Sequence, residues 1–190
     1  MDAIFKYFND FTKLSLESRE LISSHLEFDM VKKNDLLWKV GQRCTKIYFI
    51  ESGIVRLFFY NESGEENTVH FVTSNKFITD IDSLNTKVPS SVSCVAVTEC
   101  RVVILNQSAL EKFNKDVFEW HELIRKITEK SLFEKIKIRE RVFQKEATER
   151  YLSFLEHFPG IANTVQARHI ASYLGISQFT LSHIKKNIQI

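Results

Sequence analysis

Six short runs of β-branched and aromatic residues dominate the first half of the chain, at positions 35–38, 46–50, 53–60, 67–72, 92–97 and 101–105. Turn signals that contain Gly41, Gly53 and Gly64 separate the first four runs. Short strands at roughly even spacing are typical of antiparallel β proteins. The pattern therefore predicts an antiparallel barrel, sandwich or roll.

Helical patterns precede and follow these strands. Ser15 is a natural N-cap for a helix over 16–26, and Ser108 with Glu111 predicts a capping box at the start of another helix. Residues 117–144 contain neither glycine nor proline, and apolar side chains recur there about every 3.5 residues. We expect one long amphipathic helix, which packs on the strands and also pairs with a second copy of itself in a homodimer.

The tail of the chain predicts three shorter helices, over 148–157, 167–174 and 177–187. Ala171 is small enough for the last two helices to cross closely, and Gly175 tolerates the positive φ of a tight turn. The apolar positions that would lock this helix pair together are Ile170, Leu174, Ile176, Leu181 and Ile184. The spacing is that of a DNA-binding helix-turn-helix, and a plain helical hairpin is the structural alternative.

Composition excludes several classes of protein. The chain has 190 residues, of which 44% are hydrophobic and 26% charged, as in globular domains. No window approaches the apolar length of a membrane span, and the first residues lack the pattern of a secretory signal. We therefore expect a cytoplasmic protein with no membrane contact. The odd set of Cys44, Cys94 and Cys100 favours reduced thiols over a disulfide framework or a zinc site.

Charge is distributed unevenly along the chain. Residues 1–110 hold 12 basic and 14 acidic residues, whereas residues 111–190 hold 14 basic and 10 acidic residues. Beyond Glu156 there is no acid, which suits contact with a phosphate backbone. Because few cations follow Glu156, we expect DNA binding to depend on two subunits. Glu62, Glu65 and Glu66 are interpreted as a solvated turn.

The start of the second helix of a helix-turn-helix faces base edges. Glutamine can pair with adenine and an aromatic ring can contact a thymine methyl group, so Gln178, Phe179 and His183 are the expected base-reading residues. Cationic side chains at the margins of the helix-turn-helix are expected to contact phosphates. The full predicted DNA-binding set is Arg168, Ser177, Gln178, Phe179, Thr180, His183, Lys185 and Lys186.

The order of these elements resembles the Crp/Fnr family of bacterial transcription regulators, in particular members from Bacteroidetes-type bacteria. The resemblance is carried by Gly41, Tyr48, Gly53 and Arg56, and by the tail stretches 147–156 and 170–176. It implies an α+β protein with an antiparallel β-roll of the cyclic-nucleotide-binding type (a double-stranded β-helix) over residues 1–115. A dimerisation helix over 116–146 and a helix-turn-helix DNA-binding domain over 147–190 would follow. The implied partners are double-stranded DNA, a second copy of the chain, a small-molecule effector and RNA polymerase.

The chain departs from the nucleotide-binding members of this family. Those members hold the ribose with a Gly-Glu pair and the cyclic phosphate with an Arg-Ser or Arg-Thr pair. The matching positions, and hence the candidate effector-binding residues, are Thr79, Asp80, Ser90 and Ser91. A buried phosphate without a cation is costly, so cyclic AMP is disfavoured as the ligand. The three cysteines do not match the family's iron–sulfur pattern, so neither a cluster nor another cofactor is expected.

The DNA-reading residues depart as well. Crp-like members present Arg, Glu and a further Arg where this chain has Gln178, Phe179 and His183. The β-hairpin wing that usually follows is also lacking from the sequence, so we expect a helix-turn-helix without a full wing.

Three functions compete for this pattern. The first is a dimeric DNA-binding regulator that senses an effector in the roll. The second is a degenerate sensor or interaction module that has lost specific DNA binding. The third, an enzyme on a cupin-like roll, needs several metal-binding residues in the strands, and His70 is the only histidine there. We therefore expect no enzyme activity and no metal.

Overall fold

The computed structural model describes residues 2–143 and 146–188. Two helices open the chain, α1 (Asp2–Asn9) and α2 (Leu16–Ser23). The Ser15 hydroxyl accepts a hydrogen bond from the Ser18 N–H at 3.1 Å and caps α2. The predicted cap is therefore correct, although α2 ends three residues earlier than predicted and α1 has no counterpart in the sequence prediction.

Eight antiparallel strands form two four-stranded sheets, with the orders β1-β8-β3-β6 and β2-β7-β4-β5. The predicted mixed α and antiparallel-β fold class is confirmed. The strands are β1 (Glu27–Val31), β2 (Leu36–Trp38), β3 (Lys46–Ser52), β4 (Val55–Tyr60), β5 (Glu66–Val72), β6 (Lys76–Ile78), β7 (Ser93–Ala96) and β8 (Cys100–Asn106). A short helix, α3 (Ile81–Thr86), connects β6 to β7. The six predicted strands are present. The sequence pattern does not predict β1, β6 or α3.

The space between the two sheets is filled by apolar side chains. The Trp38 and Tyr48 rings stack with centroids 6.1 Å apart and an interplanar angle of 21°. Ile50, Val55 and Val102 are almost completely buried beside them. The interior of the roll is therefore a packed core around these five residues.

A second core lies between the first sheet and the helices outside it. Phe49 of β3 packs there with Phe8 of α1 and with two further helices, α4 (Gln107–Asp116) and α5 (Trp120–Phe143). The predicted capping box is wrong in its cap residue, because Asn106 caps α4 and accepts a hydrogen bond from the Ala109 N–H at 2.9 Å.

The predicted long helix is present as α5, a helix of 24 residues. Its first part is buried in the second core through Trp120, Leu123 and Ile127. Further along, Leu132, Phe133 and Ile136 are 57%, 62% and 44% exposed. The helix therefore changes from a packed to an open apolar face along its length. The predicted end of the helix at 144 lies outside the described residues.

Three helices complete the chain, α6 (Ala147–His157), α7 (Ala167–Leu174) and α8 (Gln178–Ile188), with a 3-10 turn (Ile161–Asn163) between the first two. Their core includes a residue of the roll: Phe71 of β5 contacts Phe154, Phe158 and Tyr173, with ring centroids 5.5 to 6.2 Å apart. Within residues 2–143 and 146–188, none of the helices is both long and apolar enough to span a membrane.

Candidate nucleic-acid interface and its junction with the roll

Helices α7 and α8 form the turn that the sequence predicts. Gly175 adopts a φ of 65° after the last residue of α7, and the Ile176 N–H donates to the Ala171 carbonyl at 3.1 Å. Of the predicted locking residues, Ile176 is partly buried and the others are buried, namely Ile170, Leu174, Leu181 and Ile184.

The outer face of α8 carries the predicted base-reading residues. The Ser177 hydroxyl caps the helix, since it accepts a hydrogen bond from the Thr180 N–H at 2.9 Å. Gln178 and His183 are exposed, and Phe179 is 81% exposed. A bulky apolar ring so open to solvent contributes nothing to the core, which makes it available for contact with a partner.

The predicted phosphate-contacting cations differ in their surroundings. Lys186 and Arg168 are exposed, whereas Lys185 is partly buried with its Nζ 5.8 Å from the centre of the Tyr151 ring. Six of the eight predicted residues border two grooves. Arg168, Ser177 and Gln178 line a groove that β5 also borders, while Phe179, Thr180 and His183 line another groove beside the start of α6.

A hydrogen-bonded junction joins α7 to the roll. The Ser172 hydroxyl accepts a hydrogen bond from the Thr68 N–H of β5 at 2.9 Å and donates one to the Glu66 carbonyl at 3.3 Å. No signal in the sequence points to this junction, because neither helical nor strand periodicity identifies which elements meet.

An ion pair lies under α7 at the same junction. Arg56 is 3% exposed and donates to Glu66 at 2.5 Å and to the Thr68 hydroxyl at 3.3 Å. His169 of α7 lies 3.9 Å from Glu66, and burial together with the charges of Arg56 and Arg168 lowers the pKa of His169 to about 4. The interpretation of Glu66 as part of a solvated turn is therefore wrong.

The four candidate effector residues are engaged mainly with the protein itself. Asp80 caps α3, accepting from the Ser83 N–H at 3.1 Å, and also accepts from the Ser90 hydroxyl at 2.5 Å. The Thr79 hydroxyl donates to the Lys46 carbonyl at 2.9 Å. Ser91 is exposed. Two of the four positions are thus brought together by the Asp80–Ser90 hydrogen bond.

A cavity of about 140 Å³ lies where β5 and β6 meet α5 and α6. His70, Ser131 and Phe158 line it, together with the ion pair of Lys76 and Glu134. Burial lowers the pKa of His70 to about 3, and neighbouring cations, including Lys76, add to the shift. Sequence reasoning places His70 in the sheet but does not reveal this cavity.

The described residues contain no group of three or more His, Cys, Asp or Glu side chains that could hold a metal ion. The cysteines are free and buried, and burial raises the pKa values of the Cys94 and Cys100 thiols. Thiols in such surroundings are poor nucleophiles.

Comparison with known proteins identifies the class of the first domain. Residues 29–116 match the family model of the cyclic nucleotide-binding domain. No curated protein matches the sequence significantly.

Solved structures share the fold over most of the chain. The c-di-GMP responsive global regulator CLP from Xanthomonas campestris is 15% identical, with a TM-score of 0.71 and 92% of each chain covered. FixK2 from Bradyrhizobium japonicum is 17% identical, with a TM-score of 0.71, and the match covers 86% of this chain and 84% of that one. A Crp/Fnr-family regulator from Eubacterium rectale is 19% identical, with a TM-score of 0.70 and coverage of 93% and 84%.

Residues 29–116 are therefore similar to cyclic nucleotide-binding domains. The fold of the chain is that of Crp/Fnr regulators, so the predicted resemblance to this family in fold is confirmed.

Proposed function

We propose that the protein is a dimeric DNA-binding transcription regulator of the Crp/Fnr type. The observation that carries the proposal is the outer face of α8, where Gln178, Phe179, His183 and Lys186 are exposed on a helix that begins at a capped turn. Such a helix presents its first turns to the major groove in helix-turn-helix proteins. Residues 157–190 contain no acid that would repel a phosphate backbone.

The proposed dimer forms through α5. Leu132 and Ile136 are one helical turn apart, and Phe133 lies beside them, so the three side chains form an apolar stripe on the outer surface. A second copy of the chain supplies a matching stripe around a two-fold axis, as in parallel helix pairs. Pairing would place two α8 helices on one duplex and double the number of cations that face it.

Each predicted residue then has a proposed role. Gln178, Phe179 and His183 read base edges, while Ser177 and Thr180 hold the start of α8. Phosphate contacts come from Arg168, Lys185 and Lys186, of which Lys185 is restrained by its contact with Tyr151.

The proposed effector acts at the roll and is not cyclic AMP. Asp80 and Ser90 use their side-chain oxygens on each other, and no arginine occupies the matched phosphate-binding positions. The proposed effector-binding residues are the four positions that match the family's nucleotide-binding pairs, namely Thr79, Asp80, Ser90 and Ser91. The cavity beside His70 is bordered by the roll, α5 and α6 together. A change in the roll could therefore be passed through it to the helices. A cytoplasmic location and contact with RNA polymerase are further expectations of this proposal.

A sensor or interaction module without specific DNA binding is the second candidate. It is favoured by the junction at α7, where the groove that contains Arg168 and Gln178 is also bordered by Glu65 and Glu66. The carboxylates of Glu65 and Glu66 would repel a phosphate backbone that enters this groove while α7 is packed on β5.

Fluorescence anisotropy on duplexes selected from a random library separates the two candidates. The regulator binds at low salt, and the logarithm of its affinity falls linearly with the logarithm of salt concentration. Lys186→Ala is expected to weaken binding to every duplex and to reduce the salt slope by about 1 per site. Gln178→Ala is expected to relax sequence preference at one base pair, and the exposed control Lys13→Ala to change neither property.

Absence of binding to any duplex at low salt, with the fold intact by circular dichroism, would reject the regulator. Replacement of Lys185 and Lys186 by alanine gives the corresponding test in cells. A regulator loses its promoter response, whereas an interaction module keeps its output.

A further inference from the structure

We propose that the cleft between the second sheet and α7 is a binding site for a small phosphate monoester with an apolar body. This interdomain cleft has a volume of about 300 Å³ and is lined by residues of β2, β4, β7 and the start of α7. The residues that carry the argument are Lys33, Leu36, Arg56, Tyr60 and Arg168. A cavity of this volume lies at the lower end of the range for small-molecule sites.

The lining of the interdomain cleft is cationic. Lys33, Arg56 and Arg168 line the cleft, and Glu66 is the only acidic residue among the described residues that do so. Glu66 neutralises Arg56, which leaves the charges of Lys33 and Arg168 without a carboxylate in the described lining of the cleft. An excess of two positive charges in a partly enclosed space favours a dianion.

Arg56 is held in a fixed position in the lining of this cleft. Its guanidinium lies 4.2 Å from the centre of the Phe58 ring and donates to Glu66 and Thr68 through its two terminal nitrogens. These bonds use two of the five N–H groups of an arginine. The remaining donors belong to a side chain that is already ordered, so a phosphate oxygen can be bound with little further loss of side-chain entropy.

The start of α7 adds a further donor surface to the interdomain cleft. Gln166 is the N-cap of α7 and makes no side-chain capping hydrogen bond, and Gln166, Arg168 and His169 all line the cleft. The first N–H groups of a helix have no partner inside the helix and favour a negative charge. His169 is neutral near pH 7, because its pKa is lowered to about 4, so its ring can donate or accept a hydrogen bond without adding charge.

The sheet side of the cleft also carries apolar residues that are open to solvent, and these lie beside Arg56, whose cross-strand partner is Val95. Leu36 is 47% exposed and Tyr60 51% exposed, and Val95 pairs with Leu36 across the two strands. The Tyr60 ring lies 5.5 Å from that of Phe58, which supports it edge-on. A free phosphate ion would leave these apolar side chains in water, whereas an aromatic or aliphatic body attached to the phosphate covers them. The ligand class is therefore a phosphate ester.

Isothermal titration calorimetry on the full chain tests the proposal with two probes, phenyl phosphate and inorganic phosphate, at low salt. Phenyl phosphate is expected to bind about tenfold more tightly than inorganic phosphate, because burial of the ring against Leu36 and Tyr60 adds apolar contact. Lys33→Ala is expected to weaken phenyl phosphate binding about fivefold. Tyr60→Ala is expected to remove the preference for phenyl phosphate over inorganic phosphate.

The matched control is Lys32→Ala, which removes an exposed lysine next to Lys33 that does not line the interdomain cleft. This variant keeps wild-type affinity if the ligand binds where proposed. Absence of binding by both probes overturns the site. Equal affinity for the two probes, or binding that Lys33→Ala and Tyr60→Ala both leave unchanged, overturns it as well. None of these measurements involves DNA, so the result is independent of the proposed regulator function.

Discussion

The hydroxyl of Ser172 and the backbone of Thr68 join two parts of the molecule that the sequence suggests are separate. Thr68 lies in the middle of β5, and its N–H donates to Ser172 of α7 at 2.9 Å. Ser172 returns a hydrogen bond to the neighbouring carbonyl of Glu66. A strand of the roll and the first helix of the helix-turn-helix therefore share polar groups as well as apolar contacts.

Ser172→Ala tests the strength of this junction. The substitution leaves the Thr68 N–H without its acceptor, and we expect the free energy of unfolding to fall by about 1 to 2 kcal/mol. Urea denaturation followed by circular dichroism measures the change. The control is Ser182→Ala, which removes the same hydroxyl from an exposed position of α8. Equal effects of the two substitutions would mean that the junction adds no stability.

Phe133→Glu tests the proposed dimer. A carboxylate in the middle of the exposed stripe on α5 would be buried against its own copy, and we expect the dimer dissociation constant to rise by at least about a hundredfold. Sedimentation equilibrium measures the change. Ser182→Glu introduces the same charge at an exposed polar position of α8, outside α5, and should leave association intact. A monomeric wild-type protein at all concentrations would contradict the proposal.

Gly53→Ala tests the packing at the turn between β3 and β4. Gly53 has a φ of +106°, and a Cβ there would lie 2.5 Å from the Cys100 Sγ and 2.6 Å from the Glu99 carbonyl oxygen. Both backbone strain and overlap oppose a side chain, so we expect a loss of stability of at least about 3 kcal/mol.

The matched control for this substitution is Gly64→Ala. Gly64 also has a positive φ, of +77°, but a Cβ added there would meet no atom within 4 Å. We expect a cost of about 1 kcal/mol from the backbone alone. Thermal unfolding of the two variants separates the contact with Cys100 and Glu99 from the cost of the left-handed conformation.

The partly buried imidazole of His70 predicts a loss of stability in mild acid. Its pKa falls from 6.5 to about 3 on folding, so protonation favours the unfolded chain. The neutral imidazole makes its full contribution to the free energy of unfolding above pH 6.5, and this contribution is lost progressively as the pH falls towards 3. At pH 5 the loss amounts to about 2 kcal/mol. Urea titrations at pH 7 and pH 5 should show a smaller difference for His70→Phe than for wild type. The exposed control His121→Gln should behave as wild type.

Local signals in the sequence predict local structure well. Gly175 and Ser177 define the turn and cap of the helix-turn-helix, because a positive φ and a capping hydroxyl depend on single residues. The strand β1 is not predicted, since most of its residues are exposed and show no alternation. The pattern favours Ser108 as the cap of α4, yet Asn106 takes that role two residues earlier.

The candidate site was predictable only in part. Exposure of Gln178, Phe179 and His183 follows from helical periodicity once the apolar face of α8 is known. The ion pair of Arg56 and Glu66 could not be predicted from periodicity, because it depends on which helix covers β4 and β5. Contacts between elements distant in sequence require the three-dimensional arrangement.

Phe71 contributes to the free energy needed to move helices α6, α7 and α8 away from the roll. Its ring is 1% exposed and lies among Phe154, Phe158 and Tyr173, so separation of the helices from the roll would return it to water. Exposure of one such side chain costs about 1.5 to 3 kcal/mol. The Thr68–Ser172 hydrogen bond adds about 1 to 2 kcal/mol to this cost. Effectors typically shift the equilibrium of an allosteric protein by about 1 to 3 kcal/mol. An effector therefore needs an affinity difference at or above the upper end of that range to move α7 off β5.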